Sequence, residues 1–170
     1  NIRLAERKGV EIAAGMTGEA GTSDMFWDLM SKTGARDGFR PHSKEYYEKL
    51  AAVRSDAFSN ELFFARYRGV IIAAALINFY GSTATYLHGA SSGEYREVMA
   101  PHFLHWKIIQ EAKRRGCGHY DWWGIDERRW PGVTRFKLGF GGREVAYPPS
   151  VNIAYRPVWY TLYAAAKRGS

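Results

Sequence analysis

Residues 61–89 read ELFFARYRGVIIAAALINFYGSTATYLHG, and this stretch decides the fold. Residues 61–67, 70–80 and 83–89 are rich in β-branched and aromatic side chains, which predicts three strands. Arg68-Gly69 and Gly81-Ser82 separate them by two residues each, a spacing typical of tight hairpin turns. We therefore expect an antiparallel meander at the centre of the protein.

An amphipathic helix is predicted directly after the meander, from about residue 95 or 97 to residue 115. Leu104, Ile108 and Ala112 recur on one face at helical spacing, and Gly116 is expected to end the helix. A short strand over residues 119–123 should follow.

Two helices are predicted before the meander. Residues 1–22 read as a polar, glycine-rich lead-in, after which Ser23 or Asp24 caps a helix that Gly34 and Gly38 are expected to break. Ser43 caps the second helix, which is expected to continue to about Asp56.

The remainder of the chain is predicted to close the fold. Residues 145–147 and 151–155 read as closing strands, and residues 157–167 as a terminal helix. The whole order indicates an α+β fold, with a mixed, mostly antiparallel central sheet flanked by helices. It fits the GNAT acyltransferase fold, although the pattern alone fits several other α+β folds.

The charge of the chain favours a polyanionic partner. Its 170 residues carry a net charge of +7, and aromatic residues make up 15% of the chain. Nucleic acid, a phosphorylated sugar or an acidic membrane face would each suit this surface, as would a solvated basic surface without a partner.

Cys117 is the sole cysteine, so no intrachain disulfide can form and a reducing compartment is expected. No stretch approaches the roughly 20 apolar residues of a membrane span, and residues 1–22 lack the apolar core of a signal peptide. We expect a cytoplasmic protein without an integral membrane segment, with peripheral placement at the inner membrane face as a variant.

Residues 132–142, GVTRFKLGFGG, combine cations, aromatic rings and glycines. Glycine permits close approach of backbone N–H groups, and the cations suit phosphate or a developing oxyanion. The alternative is a short helix that glycines end, with exposed cations.

Together with that stretch, four other blocks resemble the Fem-type aminoacyltransferases, which build the interpeptide bridge of peptidoglycan. They occur in the same order over nearly the whole chain: residues 1–10 (NIRLAERKGV), 86–92 (YLHGASS), 99–106 (MAPHFLHW) and 120–125 (YDWWGI).

The resemblance implies two GNAT-like subdomains in the complete enzyme. This chain then corresponds to the second subdomain over residues 1–156, with a helical C-terminal tail over residues 157–170, and a first subdomain is expected upstream. The implied reaction moves an amino acid from aminoacyl-tRNA to the stem-peptide side-chain amine of a UDP-linked or lipid-linked muropeptide precursor.

The resemblance also implies site residues. Lys137 matches the lysine of a Phe-Lys pair near the aminoacyl ester, which makes it the expected contact to the ester oxygen. Phe136 would stack on the tRNA 3′ end or else pack in the core. Arg135 would contact the tRNA backbone or else be a surface cation.

The acceptor side is implied by further matches. Tyr86 aligns with a tyrosine at the acceptor or active-site side of the sheet. Arg40 matches an arginine that holds the acceptor's phosphates, and Tyr46 or Tyr47 the tyrosine that follows it. The alternatives are an arginine that braces its loop and tyrosines that only pack.

No coenzyme A and no metal are expected. Residues 94–102 lack the glycines of a pyrophosphate loop, and Glu94 and Glu97 would repel a pyrophosphate there. His102, His105 and His119 lack evident further ligands for a metal. Asp121 would act as a base or order the loop that follows. Two alternatives to the tRNA-dependent enzyme remain: an N-acyltransferase with another acyl carrier, and a non-catalytic tRNA-binding half-domain.

Overall fold

The computed structural model describes residues 1–14, 21–149 and 151–168. Its helices and strands, in chain order, are α1 (Ile2–Arg7), β1 (Glu11–Ala14), α2 (Thr22–Asp37), α3 (Lys44–Ala52), β2 (Phe58–Tyr67), β3 (Val70–Tyr80), β4 (Thr83–Ser91), α4 (Ala100–Arg114), β5 (His119–Asp121), α5 (Pro131–Leu138) and α6 (Pro157–Arg168). A single 3-10 turn, Arg96–Val98, precedes α4.

The described strands form one sheet in the order β1-β2-β3-β4-β5. Neighbouring strands from β1 to β4 are antiparallel, which confirms the predicted meander. The short β5 pairs parallel to β4, because α4 carries the chain back across the sheet before β5 begins.

The sheet has a hydrophobic core on each face, because alternate residues of a strand point to opposite sides. On the α4 face, the α4 residues Leu104 and Ile108 pack against strand residues such as Phe63. On the α2–α3 face, Phe26 of α2 packs against strand residues such as Phe64. No helix among the described residues combines the length and apolar character that crossing a bilayer requires.

An ion-pair network ties α4 to the sheet. Arg115, just after α4, donates to both carboxylate oxygens of Glu61 in β2 at 2.6 and 2.8 Å. Arg115 and Arg114 also donate to Glu111, and these bonds lower the pKa of the Glu111 carboxyl to about 2. Arg115, Glu61 and Glu111, which link the end of the helix to the second strand, are only partly exposed.

The N-terminal lead-in is more ordered than the sequence suggested. Residues 2–7 are helical and residues 11–14 extend the sheet by pairing with β2, while residues 15–20 of the lead-in lie outside the described residues. Four residues are too few to show a period. The neighbouring β2 therefore decides their structure, rather than their own pattern.

Of the two glycines predicted to break α2, Gly38 ends the helix, with φ of +74°, whereas Gly34 does not, because the helix continues through it to Asp37. A Cβ atom at Gly34 would lie 2.7 Å from the carbonyl oxygen of Phe39. Gly34 thus permits the returning chain to cross the helix closely. The predicted Ser43 cap is confirmed, but α3 ends at Ala52 rather than near Asp56.

The predicted closing strands are wrong. The described residues 143–149 and 151–156 form neither helix nor strand, and the side chains of Val145, Val151 and Ile153 are largely exposed. Alternation within a short segment predicts a strand only if a partner strand offers hydrogen bonds, and here β1 and β5 already occupy the sheet edges. The terminal helix is confirmed as α6.

We expect Ile108→Ala to lower the free energy of unfolding by about 2–5 kcal/mol, because Ile108 is fully buried between α4 and the sheet. Chemical denaturation measures the change. The same substitution at Ile153, which is 71% exposed, should stay within about 0.5 kcal/mol of wild type. Equal effects at both positions would contradict this packing.

The Glu111 network predicts a pH dependence of stability. Its folded-state pKa of about 2 lies below the usual 4.5, so its contribution is complete above pH 4.5 and is lost as pH falls towards 2. Glu111→Gln should therefore lose stability at neutral pH and decline less than wild type across that acid range. Glu45→Gln removes an exposed carboxylate in α3 as a control. An unchanged acid profile in Glu111→Gln would refute the network's contribution.

Candidate active site

The sheet opens between its last two strands. β5 pairs only with residues 83–85 of β4, whereas β4 continues to Ser91. Side chains from α4, α5 and the loop after β5 pack beside the remainder of β4, where β5 no longer pairs. We call this region the β4–β5 opening and define it by Tyr86, His105, Trp122, Phe136 and Lys137, which contact one another there.

Lys137 points into the opening and not into solvent. It lies on α5 and is 8% exposed, one turn after Thr134, which is also buried. Its Nζ donates a hydrogen bond of 2.7 Å to the carbonyl oxygen of Gly124 and lies 5.5 Å from the centre of the Tyr86 ring. Among the described residues, the Gly124 carbonyl takes one of its three N–H groups, so donors remain for a substrate.

The surroundings of Lys137 are weakly polar. Burial lowers the pKa of its amine, and the Asp121 carboxylate partly opposes that change. Burial also raises the pKa of Tyr86, so the phenol stays protonated at neutral pH. Because a charge acts more strongly where water is scarce, a cation in this opening is well suited to stabilise an oxyanion.

The loop after β5 holds the Gly124 carbonyl in place. Asp121 accepts a hydrogen bond of 2.8 Å from the backbone N–H of Trp123, whose φ of +60° is unusual for a large residue. Farther along, Asp126 accepts from the N–H groups of Arg128 and Arg129. Thr134 of α5 in turn accepts from the N–H of Asp126. Asp121 orders the loop, as one of the two sequence interpretations predicted.

Aromatic rings form the walls of the opening. Phe136 is half-buried, with ring centres 5.0 Å from His102, 5.5 Å from His105 and 5.8 Å from Trp122. Phe140, half a turn past the end of α5, packs 4.6 Å from Trp122. Phe136 therefore both packs in the wall and keeps part of its ring accessible.

His105 is a buried member of the site that the sequence suggested only as a candidate metal ligand. The residue is 2% exposed, and its ring shares a hydrogen bond of 2.7 Å with the Tyr120 hydroxyl and lies edge-on to Tyr86 at 4.4 Å. Burial and the nearby Lys137 lower its pKa to about 3, so the imidazole is neutral at pH 7. No group of three or more potential metal-binding side chains occurs in the part of the chain that the structure describes.

The predicted acceptor residues lie on the other face of the sheet. Tyr47 is buried in the α2–α3 core against Phe26, whereas Tyr46 is 40% exposed and stacks on His42 at 4.1 Å. Arg40 is exposed in the segment between α2 and α3. The structure thus brings Tyr86, Phe136 and Lys137 together and places Arg40, Tyr46 and Tyr47 apart from them, while Arg135 is exposed on α5.

His88 of β4 joins Tyr46 and Tyr47 on the α2–α3 face, with ring centres 6.0 and 5.2 Å away. Burial and His42 lower the pKa of His88 to about 4. No sequence signal separated His88 from the strand around it. His105 could have been found, since it lies three residues before Ile108 on the inward face of α4.

A cavity of about 140 Å³ lies at the start of α4, next to the opening; Phe136 belongs to both, and His102 lines the cavity. Ser92, Glu94 and Arg96 also line it. The first turn of α4 offers few free donors, because Pro101 has no N–H and the N–H of His102 donates to the Met99 carbonyl.

Curated relatives match a short part of the chain. The lipid II:glycine glycyltransferase of Staphylococcus saprophyticus is 38% identical over 58 residues, which is 34% of this chain and 14% of that protein. The same-named protein of Staphylococcus aureus is 36% identical over an equally long match. The chain therefore matches about one seventh of the length of these relatives.

Solved structures share the fold over a longer stretch. The crystal structure of FemX superposes with a TM-score of 0.65 at 18% identity and covers 94% of this chain but 50% of FemX. A GNAT family acetyltransferase of Staphylococcus aureus superposes with a TM-score of 0.56 at 10% identity and covers 84% of this chain and 98% of its own. The predicted GNAT-like fold is thereby confirmed.

A family model describes most of the sequence. The model of the FemAB family matches residues 1–66 and 53–168, two ranges that together span nearly all of the chain. This agrees with the fold shared with FemX and with the Fem-type resemblance of the sequence. The chain belongs to the FemAB family.

Proposed function

We propose that this chain takes part in moving an amino acid from aminoacyl-tRNA to the side-chain amine of a peptidoglycan precursor's stem peptide. The observation that carries the proposal is the buried Lys137, whose Nζ is fixed by Gly124 in the β4–β5 opening. Family membership and the glycyltransferase relatives support an acyl transfer of this class.

In the proposed reaction the acceptor amine attacks the ester carbonyl carbon of the aminoacyl-tRNA. The carbonyl oxygen gains negative charge in the tetrahedral intermediate. The bond from that carbon to the ribose oxygen then breaks, an amide forms, and the proton lost by the amine goes to the departing ribose oxygen. Since the attacking group is the substrate's own amine, the reaction needs placement and charge stabilisation rather than a nucleophilic side chain.

Lys137 is proposed as the catalytic contact to the carbonyl oxygen. Its amine lies in a poorly hydrated space and its position is set by the Gly124 carbonyl before any substrate arrives. A donor that is positioned in advance does not need to reorganise as charge develops. The Tyr86 ring beside it restricts where the ester can lie.

The tRNA end is proposed to enter past α5. Phe136 keeps part of its ring accessible at the rim of the opening, which suits stacking on a terminal base. Arg135, exposed on the same helix, suits a contact with the phosphate backbone. The neighbouring exposed rings of Trp123 and Trp130 enlarge this aromatic and basic surface.

The acceptor is proposed to approach from the α2–α3 face. There the exposed Arg40 is available for the precursor's phosphates and Tyr46 for its sugar or peptide, whereas Tyr47 is committed to the core. The chain corresponds to half of FemX, so we propose that a first subdomain supplies the remainder of the acceptor site. The reaction is placed on the cytoplasmic side, where aminoacyl-tRNA is made.

We propose aminoacyl-tRNA rather than coenzyme A as the acyl carrier. Coenzyme A is the alternative carrier, because a GNAT family acetyltransferase shares this fold. However, Glu94 offsets the charge of Arg96 in the cavity at the start of α4, and Pro101 removes one of the helix's N–H donors, so the cavity offers a pyrophosphate no net positive charge and a depleted helix end.

We expect Lys137→Met to lower the rate of aminoacyl transfer by about 10²-fold or more, because it removes the donor to the oxyanion and keeps a similar volume. The measurement is amide formation with charged tRNA and a lysine-containing muropeptide precursor, in the full enzyme where a first subdomain is required. Lys113→Met, exposed on α4, is the matched control and should retain wild-type rates.

Transfer at the wild-type rate by Lys137→Met would refute the catalytic role. Transfer from acetyl-coenzyme A but not from charged tRNA would favour the other carrier. Binding of tRNA without transfer by the full wild-type enzyme would favour a non-catalytic RNA-binding protein.

Arg135→Gln should weaken tRNA binding and reduce the slope of log affinity against log salt by about 0.7 to 0.9, the loss of one phosphate contact. The rate at saturating tRNA should change little, because Arg135 is exposed and away from Lys137's hydrogen bond. Filter binding over a salt series measures the affinity and its salt slope, and the assay of amide formation measures the rate. Lys113→Gln makes the same charge change on α4. An identical slope for Arg135→Gln and wild type would exclude the contact.

A further inference from the structure

A β-bulge in β4 brings Tyr86 and Gly89 to the same face of the sheet. Residues three apart in a regular strand point to opposite faces. Here Tyr86 pairs with Ile77 and His88 pairs with Leu76, so Leu87 is an extra residue in β4. The extra residue shifts the alternation by one, and Gly89, paired with Ala75, lies on the α4 face beside Tyr86.

The Tyr86 ring occupies the space that a side chain at Gly89 would need. A Cβ atom built on Gly89 would overlap the Tyr86 hydroxyl oxygen and lie 2.6 Å from Cζ and 2.8 Å from Cε2. No positive φ is involved at this residue, so backbone strain does not require the glycine. The requirement comes from the ring that lies across it.

His105 contacts the other side of this arrangement. Its ring meets Tyr86 edge-on at 4.4 Å and is itself held by the Tyr120 hydroxyl at 2.7 Å. Tyr86 is thereby enclosed between β4 and α4, with its ring centre 5.5 Å from Lys137 Nζ. A ring that is confined on two sides fixes the wall against which the lysine amine lies.

We propose that Gly89 is a positioning residue: the bulge at Leu87 and the missing side chain at Gly89 form a slot that holds the Tyr86 ring against Lys137. The expected effect of Gly89 on the rate of transfer rests on the proposed function. Its expected effect on the Lys137 amine rests on geometry alone. Gly89 touches no substrate and acts through Tyr86. Displacing the ring admits water to the amine and moves the wall of the ester site.

The test compares Gly89→Ala with Gly118→Ala, since a Cβ at Gly118 meets no atom within 4 Å. The first readout is the Lys137 amine pKa in the 170-residue chain, from NMR of labelled lysine assigned with Lys137→Met. Gly89→Ala should raise this pKa towards the usual 10.5, because hydration removes the burial that lowers it. Gly118→Ala should leave it unchanged.

The second readout separates positioning from a general loss of structure. In a Tyr86→Ala background the slot is empty, so Gly89→Ala should change neither the urea midpoint nor the Lys137 pKa. In the wild-type background it should change both. If Gly89→Ala fails to fold, the double variant decides the matter: a midpoint equal to that of Tyr86→Ala supports the slot.

A fall in the urea midpoint of equal size in both backgrounds would overturn the proposal, and so would a wild-type Lys137 pKa in Gly89→Ala. In the transfer assay, kcat/KM should fall by roughly 10²-fold through misplacement of the ester site, with Gly118→Ala as active as wild type. Absence of transfer in the wild-type enzyme would sink the proposed function alone, because the NMR and urea comparisons do not depend on turnover.

Discussion

The hydrogen bond from Lys137 Nζ to the Gly124 carbonyl oxygen is the contact on which the site depends. It joins α5 to the loop after β5 across the place where β4 loses its partner strand. Where two strands part, apolar side chains need new neighbours. Here α5 and the aromatic rings supply them, and the lysine amine becomes part of the interior.

The balance of forces at Lys137 explains why it is suited to transient charge. Burial disfavours the charged amine, and Asp121 and the Gly124 carbonyl favour it. A neutral His105 adds no repulsion at physiological pH, since its pKa is about 3. The aromatic rings around the amine do little to stabilise its positive charge. An oxyanion that binds beside such a charge is stabilised more strongly than it would be in water.

The sequence predicted the architecture where patterns were long. The meander over residues 61–89 and the inward face of α4 extend over enough residues to reveal their periods, and both were confirmed. Residues 11–14, 145–147 and 151–155 were too short for that, so the presence or absence of a pairing partner decided their structure.

The site was predictable in its chemistry more than in its arrangement. Lys137 and Phe136 stood out because they place a cation and an aromatic ring in a glycine-rich stretch. The inward direction of Lys137, however, depends on the carbonyl of Gly124, thirteen residues away. The bulge at Leu87, which decides the face on which Gly89 lies, leaves no mark in the sequence. Tyr46 and Tyr47 are adjacent on α3 and differ in burial, because Tyr47 faces the core and Tyr46 does not.

The most direct measurement is a structure of the protein with a phosphonate analogue of the tetrahedral intermediate, attached to the terminal adenosine of the tRNA. We expect a phosphonate oxygen at about 2.7–3.1 Å from Lys137 Nζ, with the adenine near Phe136. A phosphonate bound away from the β4–β5 opening, with Lys137 contacting only the Gly124 carbonyl, would contradict it.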